Sequence, residues 1–163
     1  MRIWREAEAG GRAEALRSAL DPDARGNVNA VAWYLVACGR LREQRTPEAA
    51  RAFGIAHHAD CNLESAALLT FACLKAASRG PGAIVEQIAV TWDELGRPAI
   101  GDHREDRLVL ECLASTTRDI PQLSPIGRLA WLVVAPPEQC AIEQALRNGK
   151  LAWVEVMRPE PCA

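Results

Sequence analysis

What this chain has little of narrows it before any motif is read. In 163 residues there are one tyrosine, two phenylalanines, two methionines and three histidines. Neither sign of charge is in excess: the formal net charge is −2, with no acidic or basic block. Binders of the nucleic-acid backbone and of anionic membrane surfaces usually carry a basic excess, so neither a nucleic acid nor a membrane is expected as a partner. No apolar run approaches the length that spans a bilayer. The first residues, MRIWREAEAGGRAEALR, carry charges where an export signal has its apolar centre, so a cytoplasmic protein is expected. A Gly-rich phosphate loop, GxSxG, HExxH and DxDxDG are all missing, and no cofactor is expected.

What is present is ordinary for a globular protein: 49% apolar and 25% charged residues. The length suits one domain, residues 1–163, with a proper core. Five tryptophans each lie in an apolar segment and read as core anchors. The cysteines at 38, 61, 73, 112, 140 and 162 are dispersed, with no CxxC pair. Cys38, Cys73 and Cys112 fall inside apolar helical patterns, and reduced core thiols are expected in place of disulfides.

The stretch Asn62–Gly80, NLESAALLTFACLKAASRG, reads as the helix that organises the rest. Its polar residues Glu64, Ser65, Lys75, Ser78 and Arg79 gather on one narrow arc, with Thr70 alone across from it. So wide an apolar surface predicts packing on most sides. Asn62 is placed to cap it, and Gly80 to take a left-handed stop. Asn29–Gln44 is a second buried helix, because nine consecutive apolar residues, Ala30–Cys38, are too many for a typical strand.

Thr46-Pro47-Glu48 is a helix start with a capping hydroxyl, running to about Gly54 and onward toward Ala59. Pro81-Gly82 restarts the chain into a helix to about Leu95. Its inward face is Ile84, Val85, Ile88, Ala89, Trp92 and Leu95, with Gln87 turned away. Asp102 and Glu105 have capping-box spacing for a helix through about Ser115. Ile3–Leu20 reads as one or two short helices broken at Gly10-Gly11, and Asp21–Asn27 as a turn-rich connector.

The C-terminal third leaves two readings open. Leu129–Ala135 is either a buried helix introduced by Ser124-Pro125, or the first strand of a βαβ unit completed by Leu151–Met157. The helix Glu138–Asn148 would then be the crossover. The Ser-Pro pair favours helix for the first run, and strand formers favour extended chain for the second. The tail Arg158–Ala163 reads as loose. The expected fold class is mainly α: a single compact multi-helix bundle, most clearly helical over residues 1–98. A short β or βαβ element within residues 99–163 stays open.

Candidate chemistry concentrates in His57-His58-Ala59-Asp60-Cys61. On a continuous helix His57 and Cys61 stand at i and i+4 with Asp60 beside them, which makes His57, His58, Asp60 and Cys61 candidate metal ligands and His103 the other available histidine. At a helix N-terminus the oriented N–H groups would also bias an anion or lower a thiol pKa. His103 with Asp106 is a candidate acid–base pair.

Two short resemblances overlap the same region. TPEAARAFGIAHHADCNLES resembles the helix-turn-helix of bacterial repressors, with Ala50, Phe53, Gly54, Ile55 and Leu63 where that motif has its small residue, apolar packers and turn glycine. It departs at Asp60, where an apolar residue belongs, and in a second helix poor in base-reading side chains. Arg51 and His57 have the R-x5-H spacing that resembles the catalytic pair of HEPN-type ribonucleases, with Ala52 where a polar residue is usual. These resemblances imply, respectively, a DNA-binding regulator and a nucleolytic site on Arg51 and His57.

With no convergent polar constellation and ample apolar helix surface, the function expected is that of a non-enzymatic helical interaction module. It would be an adaptor, an immunity-type protein or an accessory subunit of bacterial type, joined to another protein or to itself as a dimer. The alternative is a helix-turn-helix-like regulator or a metal or nucleolytic site centred on residues 51–61.

Overall fold

The structure is a computed structural model that describes residues 27–80, 83–117 and 119–147. The expectations for Ile3–Leu20, Leu151–Met157 and Arg158–Ala163 lie outside the described residues. Of the connector Asp21–Asn27, only the last residue is described, and it opens a helix. Among the described residues there are seven helices and no strand: α1 (Asn27–Arg42), α2 (Thr46–Ala59), α3 (Glu64–Ala77), α4 (Ile84–Glu94), α5 (Arg104–Thr116), α6 (Pro125–Val133) and α7 (Pro136–Arg147). None is long and apolar enough to cross a membrane.

The helix wrapped by the others is α1. From Ala30 to Cys38 every residue but Trp33 is buried, and Trp33 is half-buried against the same core. It packs on α2, α5 and α6. A helix apolar all round can only be accommodated in this way. It ends at a left-handed residue, Gln44, with φ of 61°. The Arg45 N–H reaches back to the Arg40 carbonyl at 2.9 Å and the Gln44 N–H to that of Leu41 at 3.0 Å, the double closure of a Schellman stop.

Small residues set the spacing between α1 and α2. Ala49, Ala50, Ala52 and Ala56 are all buried, and they bring Phe53 edge-on to Tyr34, with ring centroids 5.2 Å apart. The predicted cap at Thr46 is not formed; Arg45 is the N-cap residue and makes no side-chain bond. Proline at the helix start does hold, and α2 runs to Ala59, past Gly54. Gly54 sits inside the helix, where a Cβ would stand 3.8 Å from Thr70 Cγ2 of α3.

α3 departs from its predicted place. Ser65, expected on the polar arc, is fully buried, whereas Phe71 and Leu74 are 50% and 56% exposed. The helix lies between α2 and α4 with one apolar face outward. Asn62 does not cap it; the cap position is Leu63, with no side-chain bond from its own turn. Gly80 does take the left-handed stop, at φ 107°, with its N–H on the Ala76 carbonyl at 3.0 Å.

α4 turns a face inward that is rotated from the predicted one. Ile84 and Ile88 are buried as expected, but Gln87 and Thr91 join them while Leu95 is exposed. Trp92 is held half-buried by donating to the Pro98 carbonyl at 3.0 Å. The capping box at Asp102 and Glu105 is replaced by an N-cap at His103 without a side-chain bond.

Ser124-Pro125 performs as expected, the Ser124 hydroxyl accepting the Gly127 N–H at 3.2 Å. Leu129–Val133 therefore lies in α6, and the run is not the first strand of a βαβ unit. The carbonyls of its last turn are taken up by side chains: Gln139 donates to Trp131 O at 2.8 Å and Arg42 to Leu132 O at 3.3 Å.

Candidate functional site

The segment singled out by its chemistry lies where α2 gives way to α3. α2 stops at Ala59, and Asp60 is extended with φ −145° and ψ 105°. Cys61 and Asn62 form the turn that follows. The helical i, i+4 geometry that would join His57 to Cys61 is therefore not made. His57 is half-buried, His58 and Cys61 are exposed, and Asp60 is buried. Asp60 Oδ1 accepts the Asn62 N–H at 3.0 Å, tightening the turn, while its buried Oδ2 has no hydrogen-bond partner. Among the described residues no three His, Cys, Asp or Glu side chains group closely enough to hold a metal ion.

Arg51 and His57 share α2 but stand six residues apart, which places them about 120° around the helix from one another. Arg51 is exposed and His57 half-buried. The turn that a helix-turn-helix would place at Gly54 is not there, because the chain stays helical through Ala59. The outward side chains of α3 are Glu64, Phe71, Leu74 and Ala77, an acidic and apolar set without base-edge readers.

His103 does not pair with Asp106. Its Nε2 lies 3.2 Å from Glu64 Oε1 at the surface, joining the loop before α5 to the first turn of α3. Asp106 instead enters the core, and there the structure assembles a group that sequence reasoning missed. Asp106 Oδ1 receives both the hydroxyl and the backbone N–H of Ser65, the latter at 3.3 Å. Its Oδ2 receives the Gly101 N–H at 3.2 Å. Ser65 Oγ is also 2.8 Å from the Tyr34 hydroxyl; with Ser65 donating to the carboxylate, the phenol donates to Ser65.

α1, α3 and α5 are tied together by one buried chain, Tyr34–Ser65–Asp106. The first turn of α3 is thereby capped by a carboxylate from 41 residues along the sequence. Burial pushes the Asp106 carboxyl above its ordinary value, against the three donors, which favour the charged form. Burial likewise raises the Tyr34 phenol well above its usual range, with Cys38 and Asp106 adding to the effect. Tyr34 and Ser65 have no accessible surface and Asp106 retains 1%. No substrate can reach such a group, so its chemistry is structural: it satisfies three polar side chains that the core would otherwise strand.

The signal that could have found it was the lone tyrosine in the run Ala30–Cys38, since a buried phenol needs a partner. Asp106 was legible only as one of several acids in a helix's first turn. The cysteines divide by the same logic. Cys38 and Cys73 are buried free thiols pushed up to about 12, while Cys61 and Cys140 are exposed.

The Tyr34, Ser65 and Asp106 side chains are thus spent on the fold, while α3 leaves large apolar side chains at the surface. Phe71 and Leu74 lie one turn apart on the outer face of α3 and are about half-exposed. Compared with protein-family models, curated proteins and solved structures, the chain matches none.

Proposed function

We propose that this protein is a non-enzymatic helical interaction module, an adaptor, immunity-type or accessory subunit, that docks another protein or a second copy of itself through the outer face of α3. One observation carries the reading: Phe71 and Leu74 stand 50% and 56% exposed on a helix whose other large apolar residues, Leu68 and Leu69, are buried in the core. Large side chains left half in water at one-turn spacing are what a helix-on-helix interface requires. Covering the rest of each would contribute about 1 kcal/mol.

The flanking polar side chains are already engaged. Lys75 bridges to Glu94 on α4, and His103 to Glu64, which leaves the apolar stripe with a polar rim. Light scattering on the purified protein at tens of micromolar is expected to show self-association that Phe71→Asp with Leu74→Asp removes without loss of helicity. A strict monomer whose capture of other proteins the double variant leaves unchanged would sink the reading.

The alternative centred on residues 51–61 draws on one observation, the buried Asp60 Oδ2 without a hydrogen-bond partner, in the turn that follows His57 and His58 in the sequence. Elemental analysis decides it: bound metal in wild type that is lost with Asp60→Asn would favour it over the interaction module.

A further inference from the structure

A groove of about 410 Å³ runs between α5 and α6, away from the face of α3 considered above. Its apolar lining comes from Ile100, Leu110, Leu123, Leu129 and Leu132. Two guanidinium groups stand at it, Arg107 from α5 and Arg128 from α6, and both side chains are exposed. Among the described residues neither guanidinium is engaged in an ion pair or side-chain hydrogen bond. Glu111, one turn from Arg107, also lines the groove and does not pair with it. Two cations against one carboxylate give the groove a positive balance in a chain whose net charge is −2.

We propose that this groove binds a small organic anion with an apolar body, a carboxylate of the medium-chain fatty acid kind. The size falls within the range of small-molecule sites, and an apolar lining with a few charged groups fixing orientation is their usual construction. Arginine suits the carboxylate because its planar fork presents two parallel N–H donors.

The walls are built before any ligand arrives. Gly101 lines the groove with φ +85°, a conformation a side chain would strain, and a Cβ there would stand 3.6 Å from Leu110 Cδ1. Its N–H is anchored on buried Asp106 at 3.2 Å, so this edge of the groove is fixed to the Tyr34–Ser65–Asp106 chain. On the other wall the Ser124 cap sets the first turn of α6, which carries Pro125 and Arg128 into the lining. Glycine, cap and anchor fix the apolar walls in advance, which lowers the ordering cost of binding, and among the described residues no carboxylate pairs with either guanidinium.

The test is an NMR titration of the full chain with octanoate, and with octanol as the uncharged counterpart. Octanoate is expected to shift the amides of Gly101, Leu110, Leu123 and Leu129 saturably. Arg107→Gln and Arg128→Gln are each expected to weaken octanoate by about tenfold while leaving octanol binding unchanged. Equal binding of octanol and octanoate, or octanoate affinity indifferent to both substitutions, would overturn the proposal in favour of a merely apolar crevice. Shifts confined to Phe71 and Leu74 would overturn it as adsorption on the α3 face. Groove amides that move on dilution, without ligand, would assign the space to a second copy and overturn it as well.

Discussion

Asp106 shows how one residue takes on a role its own neighbourhood does not suggest. A first-turn acid ordinarily serves its own helix dipole, yet this one serves the first turn of α3 and the loop at Gly101. Its carboxyl is raised from an ordinary value of 3.8, chiefly by burial, so the folded state holds the proton more tightly than the unfolded chain. The stability this contributes is fully present below the unfolded pKa and is lost as pH rises through the folded one. Asp106→Asn has no such titration. As pH rises from below the ordinary carboxylate value, wild type is therefore expected to lose stability relative to Asp106→Asn until the folded carboxyl has ionised, read from urea midpoints at each pH. The opposite slope would mean that the three donors outweigh burial.

Gly54 carries a second prediction at this scale. It lies mid-helix, and a Cβ would make an ordinary van der Waals contact with Thr70. Gly54→Ala is expected to stabilise by about 1 kcal/mol, raising Tm by a few degrees. A loss of stability would show that α2 and α3 pack more tightly than 3.8 Å at Cγ2 of Thr70 allows.

At the scale of elements, the predicted centre moved by one position of importance. α3 was expected to be the helix packed on most sides, but α1 is, and the run Ala30–Cys38 had carried that information. The mistake came from treating Ser65 as solvent-facing: a serine is small enough to be buried once Asp106 and Tyr34 satisfy it, which frees the opposite face of α3 to turn outward. α4 also departs from its predicted face, burying Gln87 and Thr91 in place of Leu95, although Gln87 Nε2 and Thr91 Oγ1 gain no hydrogen-bond partner among the described residues. Starts written in local chemistry were more legible. Ser124-Pro125 caps α6 as its sequence implies, and Ser124→Ala is expected to cost about 1 kcal/mol by chemical denaturation, with the Gly127 N–H left without its acceptor. Thr46, Asn62 and Asp102, read as caps by the same rule, make no such bond, because residue type permits a cap and only backbone geometry aims it.

At the scale of the whole molecule the core is apolar in the ordinary way, and the exposed pair Phe71 and Leu74 on α3 is what supports the interaction reading. If the α3 face is an interface, Phe71→Asp with Leu74→Asp abolishes association and leaves the unfolding free energy of the monomer within about 0.5 kcal/mol, since surface substitutions seldom do more. A large loss of stability with no change in association would place the two side chains in the fold's own service. The candidate site fared worse than the fold in sequence reading. His57, His58, Asp60 and Cys61 are adjacent in the chain, but the break of α2 at Ala59 gives them different environments, and His103 pairs with Glu64.

What the sequence determined by itself is local: which stretches are helical, that the run before Pro136 is helix once Ser-Pro opens it, and that Gly80 stops α3. These follow from periodicity, propensity and caps, which act within a few residues. Which helix is enclosed, which face of α3 looks outward, and the meeting of Tyr34, Ser65 and Asp106 were decided by tertiary structure alone. Those depend on groups 31 and 41 residues apart finding hydrogen-bond partners in a medium that penalises any left without one.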